Sequence, residues 1–296
     1  MPLPSDLRAW TKTLVRHYDL RAGQRLGQHF LVDRRVLKDI LRTAELKAGE
    51  PVLEVGGGLG VLTLGLLEQG ARVAVVELDY QLVPGLRKLA AAGSRLTVVE
   101  GDILKIPDPV LRQALSLKAT DGFAIVANLP YEISGAFLRR FLGSEWRLER
   151  LVLLLQREVG ERLAAKPGQM SLLALLVQLA CSKVEVVRLV PASAFWPQPR
   201  VESCLVRFRL RSQAERAVVL NDMTENEVWR LARFGFAARR KLLLSNIAGG
   251  LRQPRTMVAE AFKTAGLKPK ARAQELALED WVKLAGALDH INTKVQ

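Results

Sequence analysis

Seven short apolar runs, spaced by helical stretches, constrain what this chain can fold into. They span 52–55, 72–77, 96–100, 123–127, 151–155, 184–190 and 204–210. Each has the length of a buried strand, and strands that alternate with helices build a mostly parallel sheet covered on both faces. Only a proline-rich loop separates the last two, so they can pair antiparallel. From about Ser212 onward the strand pattern stops and helical patterns take over. The expected architecture is α/β: a short basic arm over 1–26, a Rossmann-like seven-stranded domain over 27–211, and a small all-helical domain over 212–296.

The first strand runs into Val52-Leu53-Glu54-Val55-Gly56-Gly57-Gly58-Leu59-Gly60, after which a helical pattern begins. Glycines at such a turn let backbone approach a ligand, and the helix start presents unpaired N–H groups. The dinucleotide fingerprint G-x-G-x-x-G fails in both registers, ending at Val61 or at Thr63. The phosphate loop fails too, because no lysine follows. What remains is E-x-G-x-G-x-G, with Glu54 ahead of Gly56, Gly58 and Gly60. A carboxylate facing the pocket suits a cation better than a pyrophosphate. S-adenosylmethionine carries a sulfonium and an ammonium, so it fits this loop better than NAD. A glycine turn with no ligand is the competing reading of the motif taken alone.

Residues at the other strand ends favour the ligand, because open parallel sheets bind beyond their carboxyl ends. Glu77 closes Val-Ala-Val-Val-Glu, where a carboxylate can accept from both ribose hydroxyls. Asp102 follows the third strand and can accept from an adenine amino group. Asn128 follows the fourth and opens Asn128-Leu129-Pro130-Tyr131. Each alone could equally cap a helix or shape a turn; together, at successive strand ends, they describe a nucleoside site. The tetrapeptide sets the chemistry. An exocyclic adenine amine is a poor nucleophile, and an Asn oxygen beside a backbone carbonyl can accept its two N–H groups and aim its lone pair. Pro130 fixes the chain without donating, and Tyr131 offers a face for a flipped-out base. Phe at 131 keeps that stacking face, so it should serve nearly as well as Tyr.

The net charge of +14, with 44 Lys and Arg against 30 Asp and Glu, favours a nucleic-acid partner, although a basic chain can also be a solubility device. Two cysteines and three histidines without ligand spacing argue against disulfides and metal, and fit a reducing cytoplasm. The longest apolar stretch, 172–181, is too short to span a membrane, and the N-terminus lacks an apolar signal core. Arg207, Arg209 and Arg211 share one strand face, read as a solvated edge. Cys181 and Cys204 read as packing residues, and His17 and His290 as surface residues.

Several stretches together resemble the rRNA adenine N6,N6-dimethyltransferase family, the KsgA-like class I S-adenosylmethionine methyltransferases. They are Gly27 to Leu31, the glycine loop, Glu77-Leu78-Asp79, Gly101-Asp102, Asn-Leu-Pro-Tyr, Gln156-Arg157-Glu158 and Phe195 through Ser203. Phe236 to Asn246 and Arg272 to Trp281 extend the likeness into the tail. The resemblance implies cofactor contacts at His29, Leu31, Gly56, Glu77, Asp102 and Asn128, and target-base contacts at Asn128, Pro130, Tyr131 and Phe195. It makes Arg239, Arg240 and Lys241, in a helical context, the candidates for RNA contact. It implies methyl transfer to two adjacent adenines in the 3′-terminal hairpin of small-subunit rRNA, on the immature subunit, by a monomeric cytoplasmic enzyme. The rivals are a large-subunit rRNA adenine methyltransferase and a non-catalytic nucleic-acid-binding assembly or transcription factor. Two departures stand out: His29 where many members have Asn, and Gln169-Met170-Ser171-Leu172-Leu173 where a Tyr-Gly is usual.

Overall fold

The structure is a computed structural model that describes residues 3–18, 28–90, 95–143 and 146–295, with side chains to 290. Residues 19–27, including Gly27 and the end of the expected arm, lie outside the described residues. The rest of that arm is mainly a helix, α1 (Leu7–His17), started by Asp6, whose carboxylate accepts the Ala9 N–H at 2.9 Å. Leu7, Thr11 and Val15 are buried at helical spacing, while Arg8, Lys12 and Arg16 face out.

A two-residue strand, β1 (Phe30–Leu31), precedes α2 (Arg34–Ala44), whose N-cap Asp33 accepts from the N–H groups of Arg35 and Val36. Val36, Leu37, Ile40 and Ala44 form its buried face, as their spacing predicts. Strands and helices then alternate: β2 (Pro51–Val55), α3 (Val61–Glu68), β3 (Arg72–Glu77), α4 (Val83–Leu89), β4 (Leu96–Glu100), α5 (Asp108–Ala114), β5 (Phe123–Asn128), α6 (Ser134–Leu142) and β6 (Leu148–Gln156). After α7 (Arg157–Leu163) and α8 (Leu172–Ala180) come β7 (Cys181–Val190), β8 (Phe195–Trp196) and β9 (Ser203–Leu210). The tail is helical: α9 (Gln213–Leu220), α10 (Glu225–Gly235), α11 (Leu243–Leu251), α12 (Arg255–Thr264) and α13 (Leu278–Val295).

All seven predicted runs are strands of one sheet, ordered β4-β3-β2-β5-β6-β9-β7. Pairs from β4 to β6 are parallel, and β9 runs antiparallel to β6. The chain builds outward from β2 in one direction to β4 and then returns to β5, so the strand order reverses between β2 and β5. A crevice opens at the carboxyl ends where that happens. β9 lies inside the sheet, so Arg207 and Arg209 are not on a solvated edge as expected. Arg207 forks onto Glu45, with both N–O distances at 2.8 Å. Two small elements escaped the sequence: β1 and β8 pair antiparallel, Phe30 with Trp196 and Leu31 with Phe195.

The chain divides into two compact units, one of residues 1–160 and 185–210 and the other of 161–184 and 211–296. The division after 210 falls at the expected boundary near 212, but 161–184 belongs to the helical unit and not to the sheet domain as expected. The reason is burial: Ala174, Leu175 and Leu179 of α8, with Met170 before it, sit in one apolar cluster with Phe262 and Trp281. Trp281 is wholly buried, and Phe236 stacks on it with centroids 5.5 Å apart. Truncating such a side chain typically costs ~3–5 kcal/mol. Capping boxes at Ser212–Glu215 and Thr224–Glu227 fix the starts of α9 and α10. The unusual 169–173 stretch belongs here too. The N–H groups of Gly168 and Met170 both donate to the Gln274 carbonyl, at 2.8 and 3.2 Å, and Met170 plugs into the core. Among the described residues, no helix is long and apolar enough to cross a membrane, and no His, Cys, Asp and Glu cluster could hold a metal.

Candidate active site

The glycine loop between β2 and α3 holds Gly56, Gly58 and Gly60 at φ +73°, +55° and +89°, conformations that L side chains rarely adopt. Gly56 and Gly58 line a cavity at the strand ends, together with His29, Leu31, Glu54, Glu77, Asp102, Asn128, Pro130 and Tyr131. Gly60 does not line it. A Cβ there would lie 2.5 Å from Leu89 Cδ1, so this glycine serves the packing of α4 against the loop rather than the ligand.

Glu54 ends up beneath the loop, 1 % exposed. One carboxylate oxygen accepts the Thr63 hydroxyl at 2.7 Å, and the other, Oε1, has no partner among the described residues. Burial pushes its carboxyl up to about 8, and Glu77 adds to the effect, against the Thr63 hydrogen bond. A buried carboxyl with an orphan oxygen, lining a cavity, fits a cationic ligand and would be costly without one.

Glu77 is 5 % exposed at the end of β3. Its Oε2 accepts from the Gly58 N–H and its Oε1 from the Asp79 N–H, both at 2.8 Å. Burial raises its pKa, against those two hydrogen bonds. Both oxygens are thus tied to backbone N–H groups while Glu77 lines the cavity, and a carboxylate oxygen so placed can still accept from a ligand hydroxyl. The bracing extends to Asp79, which accepts from Gln28 Nε2 at 2.7 Å. Gln28 and Asp79 were not singled out as site residues; their proximity is tertiary, across 51 residues, and no local spacing announces it. Asp102 also works locally, its carboxylate accepting the Leu104 N–H at 2.9 Å, and the residue lines the cavity.

Asn128 donates from Nδ2 to the His29 carbonyl at 3.3 Å. A carbonyl only accepts, so the amide orientation is fixed and Oδ1 is left as an acceptor. His29 is held in turn by Nδ1 against the Pro197 carbonyl at 2.8 Å, which makes Nδ1 the protonated nitrogen. The His29 and Tyr131 rings lie 6.3 Å apart at 30°. Tyr131 is partly buried, its hydroxyl 2.6 Å from Ser203 Oγ. Phe195 departs from expectation. It is 1 % exposed in the apolar core and does not line the cavity, because β8 pairs it against Leu31. In this conformation it supports the wall behind Leu31 and offers no face to a base.

Arg239, Arg240 and Lys241 are exposed, but on the turn between α10 and α11 rather than on a helix. Asn246 pins that turn, donating to the carbonyls of Gly235 at 2.7 Å and Ala238 at 3.0 Å. Cys181 and Cys204 are buried thiols, Cys204 donating to the Gln156 carbonyl at 3.7 Å, and His17 and His290 are exposed.

The chain is similar to known proteins in sequence and fold. Residues 20–290 match the family described as ribosomal RNA adenine dimethylase. A protein of Dehalococcoides mccartyi named ribosomal RNA small subunit methyltransferase A is 39% identical, covering 94% of this chain and 92% of its own. One of the same name from Anaeromyxobacter dehalogenans is also 39% identical, over 94% and 97%. Among solved structures, the 23S rRNA methyltransferase ErmE superposes with a TM-score of 0.64 at 27% identity, over 88% of this chain and 99% of that one. A dimethyladenosine transferase from Plasmodium falciparum superposes at 0.71 with 24% identity, over 89% and 98%.

Proposed function

The chain belongs to the ribosomal RNA adenine dimethylase family, and from that premise we propose that it methylates N6 of adenines in small-subunit rRNA, with S-adenosylmethionine as methyl donor. The fold is that of a class I methyltransferase. Relatives named for the small subunit stand at 39% identity, against 27% for the 23S enzyme, so the small subunit is the substrate we carry forward. The finer reading is the pair of adjacent adenines in the 3′-terminal hairpin, dimethylated on the immature subunit by a monomer in the cytoplasm.

The observation that carries the chemistry is the fixed amide of Asn128. With Nδ2 committed to His29, Oδ1 is an acceptor held at the cavity wall. It can take one N–H of an adenine N6, and the backbone carbonyl beside it the other. The nitrogen lone pair is then turned toward the cofactor side of the cavity. Tyr131 supplies the face that holds the flipped base.

The residues fit the proposed cofactor. Glu77 suits a ribose, Asp102 the adenine amine, and the loop from Gly56 to Gly58 lets backbone approach. The orphan oxygen of Glu54 matches a cationic tail. S-adenosylmethionine supplies an activated methyl group on a sulfonium. The protein contributes orientation and exclusion of water, without a strong base, because the amine becomes acidic once alkylated. Arg239, Arg240 and Lys241 contact RNA phosphates.

The deciding experiment supplies labelled cofactor to unmethylated small subunits and, separately, to large-subunit RNA, and maps the modified base. Label on N6 of small-subunit adenines is expected; label confined to large-subunit RNA would overturn the assignment.

A further inference from the structure

We infer that Ser203 is a positioning residue for the reaction, holding the Tyr131 ring at the base-binding wall through the hydroxyl–hydroxyl hydrogen bond between them. The inference rests on the reading of Tyr131 as the stacking face for the target adenine, and assigns a task to a motif residue that this reading leaves idle.

Ser203 is wholly buried, and among the described residues its hydroxyl pairs only with Tyr131, at 2.6 Å. The phenol has no other described partner. Ser203 itself is held at the start of β9, in register with Gln156 of β6. Next to it the Arg157 N–H donates to the Glu202 carbonyl at 3.0 Å, and the Arg157 guanidinium meets the Glu202 carboxylate at 2.8 Å. The anchor is therefore sheet backbone, whereas Tyr131 stands in a single 3₁₀ turn. A ring on such a turn rotates unless its tip is held, and a stacking face works only at one orientation. The phenol oxygen is the one atom of Tyr131 that can be tied without covering the ring.

The expectation that Phe would serve at 131 is therefore reversed. Tyr131→Phe keeps the face but frees the tip, and strands a buried hydroxyl on Ser203. Ser203→Ala frees the same tip from the other side. The double variant removes both partners, so its loss should equal that of either single variant instead of their product.

The test is single-turnover methyl transfer on pre-bound small subunits by the parent, Tyr131→Phe, Ser203→Ala and the double variant. Cofactor and subunit affinities and thermal midpoints are measured alongside. Each single variant is expected to lose about tenfold in rate with both affinities held, and the double variant about tenfold again relative to the parent, not a hundredfold. Tyr131→Phe at the parental rate overturns the proposal even if Ser203→Ala does not fold. Losses that multiply in the double variant overturn it as well. A parent that methylates no small-subunit adenine defeats the functional reading and this inference together, whereas an active parent with unaffected variants defeats this inference alone.

Discussion

Gly58 donates its backbone N–H to Glu77 Oε2 over 2.8 Å, so the glycine loop and the carboxylate across from it are fixed to each other without a ligand. The second oxygen holds the Asp79 N–H. Glu77 therefore has two duties, and its removal should show both. Glu77→Ala is expected to weaken S-adenosylmethionine binding at least tenfold, about 1.4 kcal/mol, through lost charge-assisted hydrogen bonds. It should also lower the thermal midpoint, because two backbone donors lose their acceptor. Calorimetry and melting separate the effects; unchanged affinity in a folded variant would remove Glu77 from the ribose site.

RNA affinity should depend on the α10–α11 turn. Arg239, Arg240 and Lys241 are exposed there, with no described acidic partner, and Asn246 fixes the backbone that carries them. Replacing all three with Ala should weaken small-subunit binding and reduce the salt slope by up to about 2 to 3, at ~0.7–0.9 per phosphate contact. Cofactor affinity should hardly change. An unaltered slope in a filter-binding titration would make these residues a solvated turn.

What the sequence disclosed and what it hid divide along physical lines. The seven strands were legible because a buried strand is a local apolar run, and Glu77, Asp102 and Asn128 because strand ends are local too. The burial of Phe195 is not legible locally, because it depends on pairing with Leu31, far away in the chain. Gly60 looked like a ligand glycine, yet Leu89 of α4 decides its role. The end of the strand pattern marks the domain boundary near 212 in the sequence. That signal is silent on α8, which is apolar enough for either unit and is claimed by the cluster around Trp281. The Arg239–Lys241 turn hides in a helical pattern, because a two-helix junction keeps helical composition on both sides. Ser203 lies in a stretch that carries the family likeness, but no local spacing ties its hydroxyl to Tyr131, 72 residues away.

Glu54 predicts a pH dependence with a definite sign. Its carboxyl titrates at about 8 in the fold, against an ordinary 4.5. Between these values the folded protein keeps a proton that the unfolded chain has lost. Stability from this group is therefore complete below about 4.5, falls as pH rises toward 8, and is level above. Glu54→Gln keeps an acceptor for Thr63 and should flatten that slope in melting curves from pH 5 to 9. A cationic ligand beside Glu54 favours the carboxylate, so cofactor binding at pH 7 should release a proton. Calorimetry in two buffers of different ionisation enthalpy reads this directly, and identical heats would place the cation elsewhere.

The most discriminating variant is Asn128→Ala. Its Nδ2 is spent on the His29 carbonyl, so a single atom, Oδ1, is available to orient an adenine amine. Losing one positioned acceptor at a reacting atom typically costs on the order of a hundredfold in rate. The His29 carbonyl loses a donor as well, but it lies at a cavity that water can enter, so the fold should survive. Binding to the small subunit should persist, since phosphate contacts dominate affinity and lie elsewhere. Asn128→Asp supplies the complementary control: it keeps an acceptor but loses the donor that fixes it, and sets a carboxylate against the His29 carbonyl. It should fall between Ala and the parent. Single-turnover rates on pre-bound subunits rank the three. An Asn128→Ala enzyme that transfers methyl groups at the parental rate would show that adenine N6 is not the nucleophile this wall serves.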